Sequence, residues 1–507
     1  MNASLSESLV IRRSGSYLRP DNSRVLLRPF LPGGEERARR VIGRILELSE
    51  ARIDEQHALV IHLCEGGQSG PGRERLEQIF EKRFEQLKHL TPDATVLSEK
   101  RRRVIGAFFL SEYSLQSAAL FNPSIVASPT RSGANEGELP FIMSLRATGE
   151  GHVSSIEFRA GVITGGGDVN FDPVSPFVTH PDTSHPVFEK REFQTTLLEV
   201  GFERAFVDSF LSMLGETFEM AELEETMKHP ERWPCPLGMD VLLCEENRES
   251  ALHKIRWAAQ CDYVIRFSSK QPISERIIFP ASPSEQGGIE DARFVRFRED
   301  DGWSSYYATY TAYDGNNVLP QLIETEDFVR FRLHPLHGSA VRNKGMALFP
   351  RRINGKYAML GRQGGENITL MLSNDIRYWN SWQVIMEPES PWEFVQIGNC
   401  GSPIETSAGW LVLTHGVGAM RNYCIGAALL DLDDPAKVIG RLREPLLEPL
   451  ENERDGYVPN VVYTCGAIVH NGWLVIPYAV SDYAITTATV SLDALLERLS
   501  HSQSFRP

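Results

Sequence analysis

The pattern of apolar and polar positions changes character along the chain. From about residue 34 to residue 90 apolar side chains recur at helical spacing, with Ala38, Val41, Ile42, Ile45, Leu46 and Leu48 followed by Leu76, Ile79, Phe80, Phe84 and Leu87. This predicts two helices parted by the break Gly66-Gly67-Gln68-Ser69-Gly70-Pro71. A second helical block is expected over about 192–227, where Leu197, Leu198, Val200, Phe202, Phe206, Phe210 and Leu211 make the buried stripe. Neither block gathers convergent polar chemistry, so both read as architecture. Elsewhere the spacing is that of strands.

Those strands repeat in shape rather than identity. Each unit has an apolar strand, a short turn ending in glycine, and a second strand rich in aromatic and β-branched residues. Val295-Arg296-Phe297 turns at Asp301-Gly302 into Tyr306-Tyr307-Ala308-Thr309-Tyr310, and Met346-Ala347-Leu348-Phe349 turns at Asn354-Gly355 into Tyr357-Ala358-Met359-Leu360. Ser402-Pro403-Ile404 turns at Ala408-Gly409 into Trp410-Leu411-Val412-Leu413, and Gly466-Ala467-Ile468-Val469 turns at Asn471-Gly472 into Trp473-Leu474-Val475-Ile476. The turn glycines lie 53, 54 and 63 residues apart, the pitch of one four-stranded propeller blade per unit. A fifth unit runs from Pro123-Ser124-Ile125-Val126, past the loop between Gly133 and Gly137, into Phe141-Ile142-Met143-Ser144-Leu145-Arg146. The expected fold is mainly β: a five-bladed β-propeller over 105–495 with a helical insertion at about 190–230. Residues 1–104 form a largely helical N-terminal extension and 496–507 a C-terminal tail. Such a fold leaves no long exposed edge and lines a central funnel with the first strand of each blade.

Composition narrows the function classes. A net charge of -15 over 507 residues makes a nucleic-acid backbone a poor partner, and the one basic run, Lys100-Arg101-Arg102-Arg103, reads as a solvated connector. The seven cysteines include no Cys-x-x-Cys pair, which argues against a zinc site or a disulfide framework. No signal peptide opens the chain at Met1-Asn2-Ala3-Ser4-Leu5-Ser6-Glu7 and no segment suggests a membrane span, so a reducing cytoplasm is the expected location. Gly364-Gly365 lacks the lysine and serine of a P-loop, and no dinucleotide fingerprint follows a strand.

The chemistry collects where the repeats place polar residues at equivalent positions. Gly288-Ile289-Glu290-Asp291-Ala292-Arg293 sets two carboxylates and an arginine after a glycine, between the strand-like Arg276-Ile277-Ile278-Phe279-Pro280 and Phe294-Val295-Arg296-Phe297. It reads as a corner at the rim of a sheet, either a salt-bridged turn or an acid of tuned pKa. Asn122 and Arg146 belong to the first unit, Asn343, Lys344 and Arg362 to the third, His415 to the fourth, and Asn460, Tyr478 and Asp482 to the fifth. Acids facing cations suit a sugar gripped by its hydroxyls or a phosphate gripped by Lys, Arg and His. Tyr310, Tyr313, Trp410 and Tyr478 are aromatic candidates for packing on sugar faces.

At these residues the chain resembles glycoside hydrolase family 130, the inverting β-mannoside phosphorylases and related mannosidases built on a five-bladed propeller. The resemblance covers about 105–495. It rests on Asn122-Pro123-Ser124, Leu145-Arg146-Ala147, Gly288-Ile289-Glu290-Asp291-Ala292-Arg293, Tyr310-Thr311-Ala312-Tyr313-Asp314-Gly315, Asn343-Lys344, Gly401-Ser402-Pro403-Ile404, Thr414-His415-Gly416-Val417, and Val458-Pro459-Asn460-Val461-Val462 before Ser481-Asp482. It implies Asp291 as general acid, passing its proton through a hydroxyl of the bound mannose, while phosphate attacks the anomeric carbon and inverts it to α-mannose 1-phosphate. It further implies Lys344, Arg362 and His415 at the phosphate, and Asn122, Arg146, Glu290, Arg293, Tyr310, Asn460, Tyr478 and Asp482 at the sugar. The implied partners are a β-1,2- or β-1,4-linked manno-oligosaccharide and inorganic phosphate, with no cofactor or metal. Two features depart from the family: alanine at position 292, where proline is frequent, and no arginine in Asn316-Asn317-Val318-Leu319-Pro320, after Tyr-Thr-Ala. The competing readings are an inverting mannosidase with Glu366 or Glu405 as base for water, and a non-catalytic carbohydrate-binding propeller. The helical additions either cap the funnel or make the contact of a homo-oligomer.

Overall fold

The structure, a computed structural model, describes residues 9–65, 72–92, 94–130, 134–175, 178–229, 233 and 241–501. The break at Gly66 to Pro71, the N-terminal residues read for a signal peptide, and Gly133 lie outside these. The chain divides into two compact units, the smaller of which takes Asn22–Leu115.

In the smaller unit the first helical stretch divides at Glu47-Leu48-Ser49 into Gly34–Leu46 and Glu50–Glu65, followed by Gly72–Leu87 and Glu99–Phe108. Their apolar faces close on Ala38, Ile42, Ile53, Phe84, Val104, Ile105 and Phe109. An antiparallel pair, Val25–Pro29 with Leu110–Ser114, completes the unit. The basic run is not a solvated connector. It lies in the helix Glu99–Phe108, N-capped by Ser98, whose hydroxyl accepts from the Arg101 N–H. The Arg101 guanidinium is buried and donates to the carbonyls of Ile45 (2.8 Å), Leu46 (3.0 Å) and Leu48 (2.7 Å), the unsatisfied end of the first helix, while Glu50 pairs with it. Arg102 and Arg103 pair with Glu81 and Glu77. Composition alone counts such a run as charge, whereas the fold uses it to cap and tie helices.

The larger unit gathers described residues of Met1–Asp21, Gln116–Ser175 and Thr179–Pro507. Its strands follow one another as antiparallel groups. The first contains Ala119–Ala127, Leu139–Thr148 and Ser154–Ile163, and the second Gly288–Arg298, Ser304–Tyr313, Val318–Thr325 and Arg330–Pro335. A single pairing, Gly288 with Ser154, joins these two into one sheet. The third is Ala347–Leu348, Tyr357–Gly361, Ile368–Ser373 and Gln383–Met386, and the fourth contains Gln396–Asn399, Gly409–Val417, Tyr423–Leu430 and Val438–Arg441. The fifth holds Val462–Tyr463, Trp473–Val480 and Ala484–Ser491, and its outer strand, Ile11–Arg13, comes from the start of the chain. Gly302, Gly355 and Gly472 sit between strands as expected and Gly409 opens one, and all four have positive φ. Apolar clusters fill the space between successive groups; Trp410 of the fourth is buried and meets Phe349 beside the third edge-on at 5.1 Å.

Three expectations about boundaries change. Glu290-Asp291 is not a corner between strands: Gly288–Arg298 is one continuous strand with a bulge between Glu290 and Arg293. The helical insertion is larger than its apolar stripe indicated, since Lys190–Glu199, Arg204–Leu211 and Met220–Met227 are joined by a long helix, Val241–Gln260, whose polar run Glu245-Glu246-Asn247-Arg248-Glu249-Ser250 hides its period. Past residue 495 the chain continues as the helix Leu492–His501, burying Leu496 and Leu499 rather than trailing as a tail.

Gly106 has a packing reason to be glycine: a Cβ there would lie 1.9 Å from the Phe80 carbonyl oxygen. Gly106→Ala should therefore destabilise the helical unit by about 1–3 kcal/mol, read as a lowered denaturation midpoint; an unchanged midpoint would show that the two helices can part without cost.

Candidate active site

Two bulges of the same form build the centre of the site. In the strand Ala119–Ala127 the register slips between Phe121 and Ser124, and in Gly288–Arg298 between Glu290 and Arg293, so one residue is extra in each. The extra turn of backbone puts Asn122 (φ 49°) and Asp291 (φ 55°) in the left-handed region, where Asn and Asp are the side chains that adapt best. The bulges aim both side chains the same way, and the Asn122 amide donates to Asp291 Oδ1 at 2.7 Å. Asn343 (φ 64°), Asn460 (φ 61°) and Asp482 (φ 47°) adopt the same backbone form.

Arg146 is the hub of the ion pairs. Its Nη1 lies 3.3 Å from Asp291 Oδ1, its Nη2 donates to Glu290 Oε1 at 2.8 Å, and its Nε donates to Ser154 Oγ at 3.0 Å. Lys344 holds the other oxygen of Glu290. Beneath them Arg293 commits its fork to the protein: Nε donates to the Cys400 carbonyl (3.1 Å), Nη1 to the Asp291 carbonyl (3.1 Å) and Nη2 to the Tyr463 hydroxyl (2.8 Å). His415 and Arg362 form a second cluster, with Arg362 Nη1 donating to His415 Nε2 at 3.1 Å. The imidazole stacks on Tyr423 at 11° and meets Tyr463 edge-on at 5.0 Å. Gly398 makes room for it, because a Cβ there would be 2.4 Å from His415 Cε1.

These groups surround a cavity of about 210 Å³ lined by Asn122, Arg146, Asp291, Lys344, Arg362, His415 and Asp482, together with Phe121, Arg421, Tyr423, Val461 and Tyr463. Seven residues expected from the sequence thus meet in one place. Glu290 is next to them but is held between Arg146 and Lys344. Three expected sugar contacts do not belong. Arg293 is buried with all its nitrogens committed to the fold. Tyr310 is buried with its hydroxyl on Glu285 and Gln321, both at 2.7 Å, and Tyr478 is buried against Glu453 at 3.1 Å. Strand alternation turned both rings into the sheet groups. Asn460 takes part through its carbonyl, which accepts from the Tyr423 N–H at 2.9 Å, rather than through its amide. Neither Glu366 nor Glu405 lines the cavity; Glu405 is paired with Arg351 at 2.7 Å. Sequence reasoning missed Phe121, Arg421, Tyr423 and Tyr463. Tyr423 had a signal: it follows His415 across a turn of the same length as the one that follows Arg146.

The lining is cation-rich in an acidic chain, with Arg146, Lys344, Arg362 and Arg421 against Asp291 and Asp482. Burial pushes the Asp291 carboxyl up, but Arg146, Arg293, the Asn122 amide and Lys344 outweigh it and hold Asp291 below the usual carboxylate range. The tuned acid expected at this position is thus tuned downward: the cations keep Asp291 ionised at rest. Burial and the neighbouring Asp291 charge instead push Asp482 up to about 6, against the opposing pull of Arg146 and Arg421. Burial, with Arg362 and Arg293, drives His415 well below its ordinary value, so its imidazole is neutral and free to accept from Arg362. Burial also lowers Arg362, which has no carboxylate partner among the described residues and whose Nε is buried without a hydrogen bond. Among the described residues no three His, Cys, Asp or Glu side chains are placed to hold a metal ion, and no helix is long and apolar enough to cross a membrane.

Comparison with known proteins accords with this chemistry. The model of the family described as beta-1,4-mannooligosaccharide phosphorylase matches residues 248–501. The 1,2-beta-oligomannan phosphorylase of Thermoanaerobacter sp. (strain X514) is 41% identical over 213 residues, which are 41% of this chain and 70% of that protein. The beta-1,2-mannobiose phosphorylase of the same organism is 33% identical over 251 residues, 48% of this chain and 81% of that protein. The solved beta-1,2-mannobiose phosphorylase from Listeria innocua, in complex with beta-1,2-mannobiose, aligns with 77% of this chain and 93% of its own at 22% identity and a TM-score of 0.44.

The raised Asp482 gives a pH signature. A carboxyl that binds its proton more tightly folded than unfolded costs stability as pH rises from the unfolded value, about 3.9, to its folded value of about 6, because the folded state then carries the extra proton. Asp482→Asn removes this cost. Relative to the wild type the variant should gain roughly 2–3 kcal/mol between about pH 4 and pH 7, measured by chemical denaturation across that range. A pH-independent difference would place the proton elsewhere.

Proposed function

The chain belongs to glycoside hydrolase family 130, and from that premise we propose that it cleaves β-mannosides with inorganic phosphate, inverting the anomeric carbon to release α-mannose 1-phosphate. The observation that carries the phosphate is Arg362, a half-buried guanidinium without a carboxylate partner among the described residues and with its Nε buried, on the same cavity as Lys344, Arg421 and the neutral His415. An anion is the partner that such a cluster lacks. Arg421 supplies, from another strand connection, the guanidinium missing after Tyr-Thr-Ala.

Asp291 is the general acid of this reading. It rests ionised because cations surround it, and a bound phosphate offsets those cations and raises its affinity for a proton. The proton that Asp291 then takes up from solvent passes to the departing sugar oxygen through a mannose hydroxyl as the glycosidic bond breaks, while phosphate bonds to the anomeric carbon from the opposite face. Asn122 fixes the Asp291 carboxylate, Arg146 sets the spacing of Asp291 and Glu290, and Asp482 binds sugar hydroxyls. Phosphate is already anionic, so no protein base is required. Hydrolysis would need one, and the carboxylates lining the cavity among the described residues are Asp291 and Asp482, with neither Glu366 nor Glu405. The five strand groups, the glycine pitch and the N-terminal strand at the outside of the last group support a five-bladed propeller as the frame.

The test is incubation of the purified protein with β-1,2- and β-1,4-linked mannosides, with and without phosphate. Mannose 1-phosphate formed only with phosphate is expected; free mannose at a phosphate-independent rate would sink the reading. Asp291→Asn should lower kcat by about 10²–10⁴-fold, and Arg362→Ala should raise the KM for phosphate by roughly 10–100-fold with a smaller effect on the sugar.

A further inference from the structure

We propose that Arg13 and Glu453 are positioning residues for Asp482: together they fix the turn that carries it, so the start of the chain sets one side of the sugar site. This rests on the reading of Asp482 as a residue that binds sugar hydroxyls.

Asp482 stands in the tight turn between Trp473–Val480 and Ala484–Ser491, which the Tyr483 N–H closes on the Val480 carbonyl at 3.0 Å. Two consecutive residues of this turn, Ser481 (φ 50°) and Asp482 (φ 47°), are left-handed, and neither is glycine. Such a pair is unfavourable by itself and persists where its surroundings over-determine it. Those surroundings act on Ser481, which is wholly buried. Its N–H donates to the Val461 carbonyl at 2.8 Å, its carbonyl accepts from the Val458 N–H at 2.9 Å, and its hydroxyl donates to the Glu453 carbonyl. Gly456 lets the chain come this close, because a Cβ there would lie 2.6 Å from Ser481 Cβ. The direction of Asp482 therefore follows from where residues 448–458 are held.

That stretch is anchored by a carboxylate the reaction does not use. The Glu453 side chain is 1% exposed, and its oxygens accept from the Tyr478 hydroxyl (3.1 Å), the Leu450 N–H (3.1 Å) and Arg13 Nη1 (2.9 Å). From Nη2 Arg13 also donates to the Glu448 carbonyl at 2.8 Å, so one guanidinium grips the stretch at two points. A fork bonded in this way fixes direction as well as charge. Arg13 lies 440 residues from Glu453 in sequence, and its backbone is paired with Ala488 on the strand that leaves the Asp482 turn. Its neighbour Arg12 does different work: it lies 4.2 Å over the Trp473 ring and donates to the Gly166 carbonyl, fastening the same strand to the sheet without touching residues 448–458. Closing the fifth strand group needs only contacts of that second kind. The buried pair of Arg13 and Glu453 goes further and reaches, through Ser481, to the residue that faces the sugar.

The experiment measures Tm, and KM for a β-mannobiose and for phosphate, in the full-length wild type and its Arg13→Ala, Arg13→Lys and Arg12→Ala variants. Arg13→Ala should raise the mannoside KM about tenfold and leave the phosphate KM within about twofold of the wild type. Arg13→Lys returns a charge to Glu453 without the second arm of the fork, so it should recover most of the Tm while its mannoside KM stays roughly threefold raised. Arg12→Ala should lower the Tm and change neither KM. An unchanged mannoside KM in Arg13→Ala overturns the proposal, as does a parallel rise in both KM values. So does an Arg12→Ala protein with the same raised mannoside KM, which would reduce Arg13 to closing the sheet. If Arg13→Ala does not fold, Arg13→Lys decides, and a wild-type mannoside KM in it overturns the proposal. A wild type that turns over no mannobiose would instead remove the reading on which it rests.

Discussion

The site depends on Arg293. Its guanidinium ties together the carbonyl of Asp291, the carbonyl of Cys400 and the hydroxyl of Tyr463, which belong to or adjoin the second, fourth and fifth strand groups. The first of these bonds holds the backbone of the bulge, and the bulge is what turns the Asp291 carboxylate toward Asn122 and Arg146. A left-handed aspartate is unfavourable by itself. It persists because a buried, fully bonded guanidinium over-determines it, and burial of that charge is tolerable because carbonyl and hydroxyl oxygens satisfy all its nitrogens. Arg293 therefore holds Asp291 in position from one layer behind the cavity.

Repetition supplies the rest. The bulge that presents Asp291 recurs in the first group at Asn122, and the five-residue turn after Arg146 recurs after His415. Each copy carries a different side chain on the same backbone form: carboxylate against carboxamide, guanidinium against imidazole. Where the copies meet, an amide donor faces an acid and a cation cluster faces both. The function is thus written in differences between repeats whose backbone is common, and the strand groups can keep their apolar contacts while the inward residues vary.

This explains what could be read from the sequence. The glycine turns, with their regular pitch and flanking apolar strands, mark strand pairs directly, and the inward residues of neighbouring units gave seven of the cavity's lining side chains. The errors have physical causes. Tyr310 and Tyr478 were placed by chemistry, but strand alternation turned both inward to Glu285 and Glu453. Arg421 left no trace in the pattern because a left-handed position that is not glycine has no sequence mark. Lys100 to Arg103 read as solvated because charge counting cannot see the carbonyl ends of a preceding helix that Arg101 caps. The ionised state of Asp291 was likewise invisible, since it follows from the distances of Arg146, Arg293 and Lys344 rather than from the neighbouring Glu290.

That ionised state bears on the choice between phosphate and water. An acid that rests deprotonated cannot protonate a leaving group, so the resting site is poorly disposed to cleave a bound sugar with water. Two of the cations that hold Asp291 ionised, Arg146 and Lys344, line the cavity, where a phosphate would meet them. When the anion takes their charge, the upward push of burial on Asp291 is less opposed, and burial favours its protonated form. In the proposed reaction the nucleophile thereby switches on the acid, and both arrive together at the anomeric carbon. Water carries no charge and cannot do this. On this argument phosphorolysis over hydrolysis needs no barrier against water; it follows from placing an aspartate in a cavity whose cations, Arg146, Lys344, Arg362 and Arg421, outnumber the carboxylates Asp291, Asp482 and Glu290.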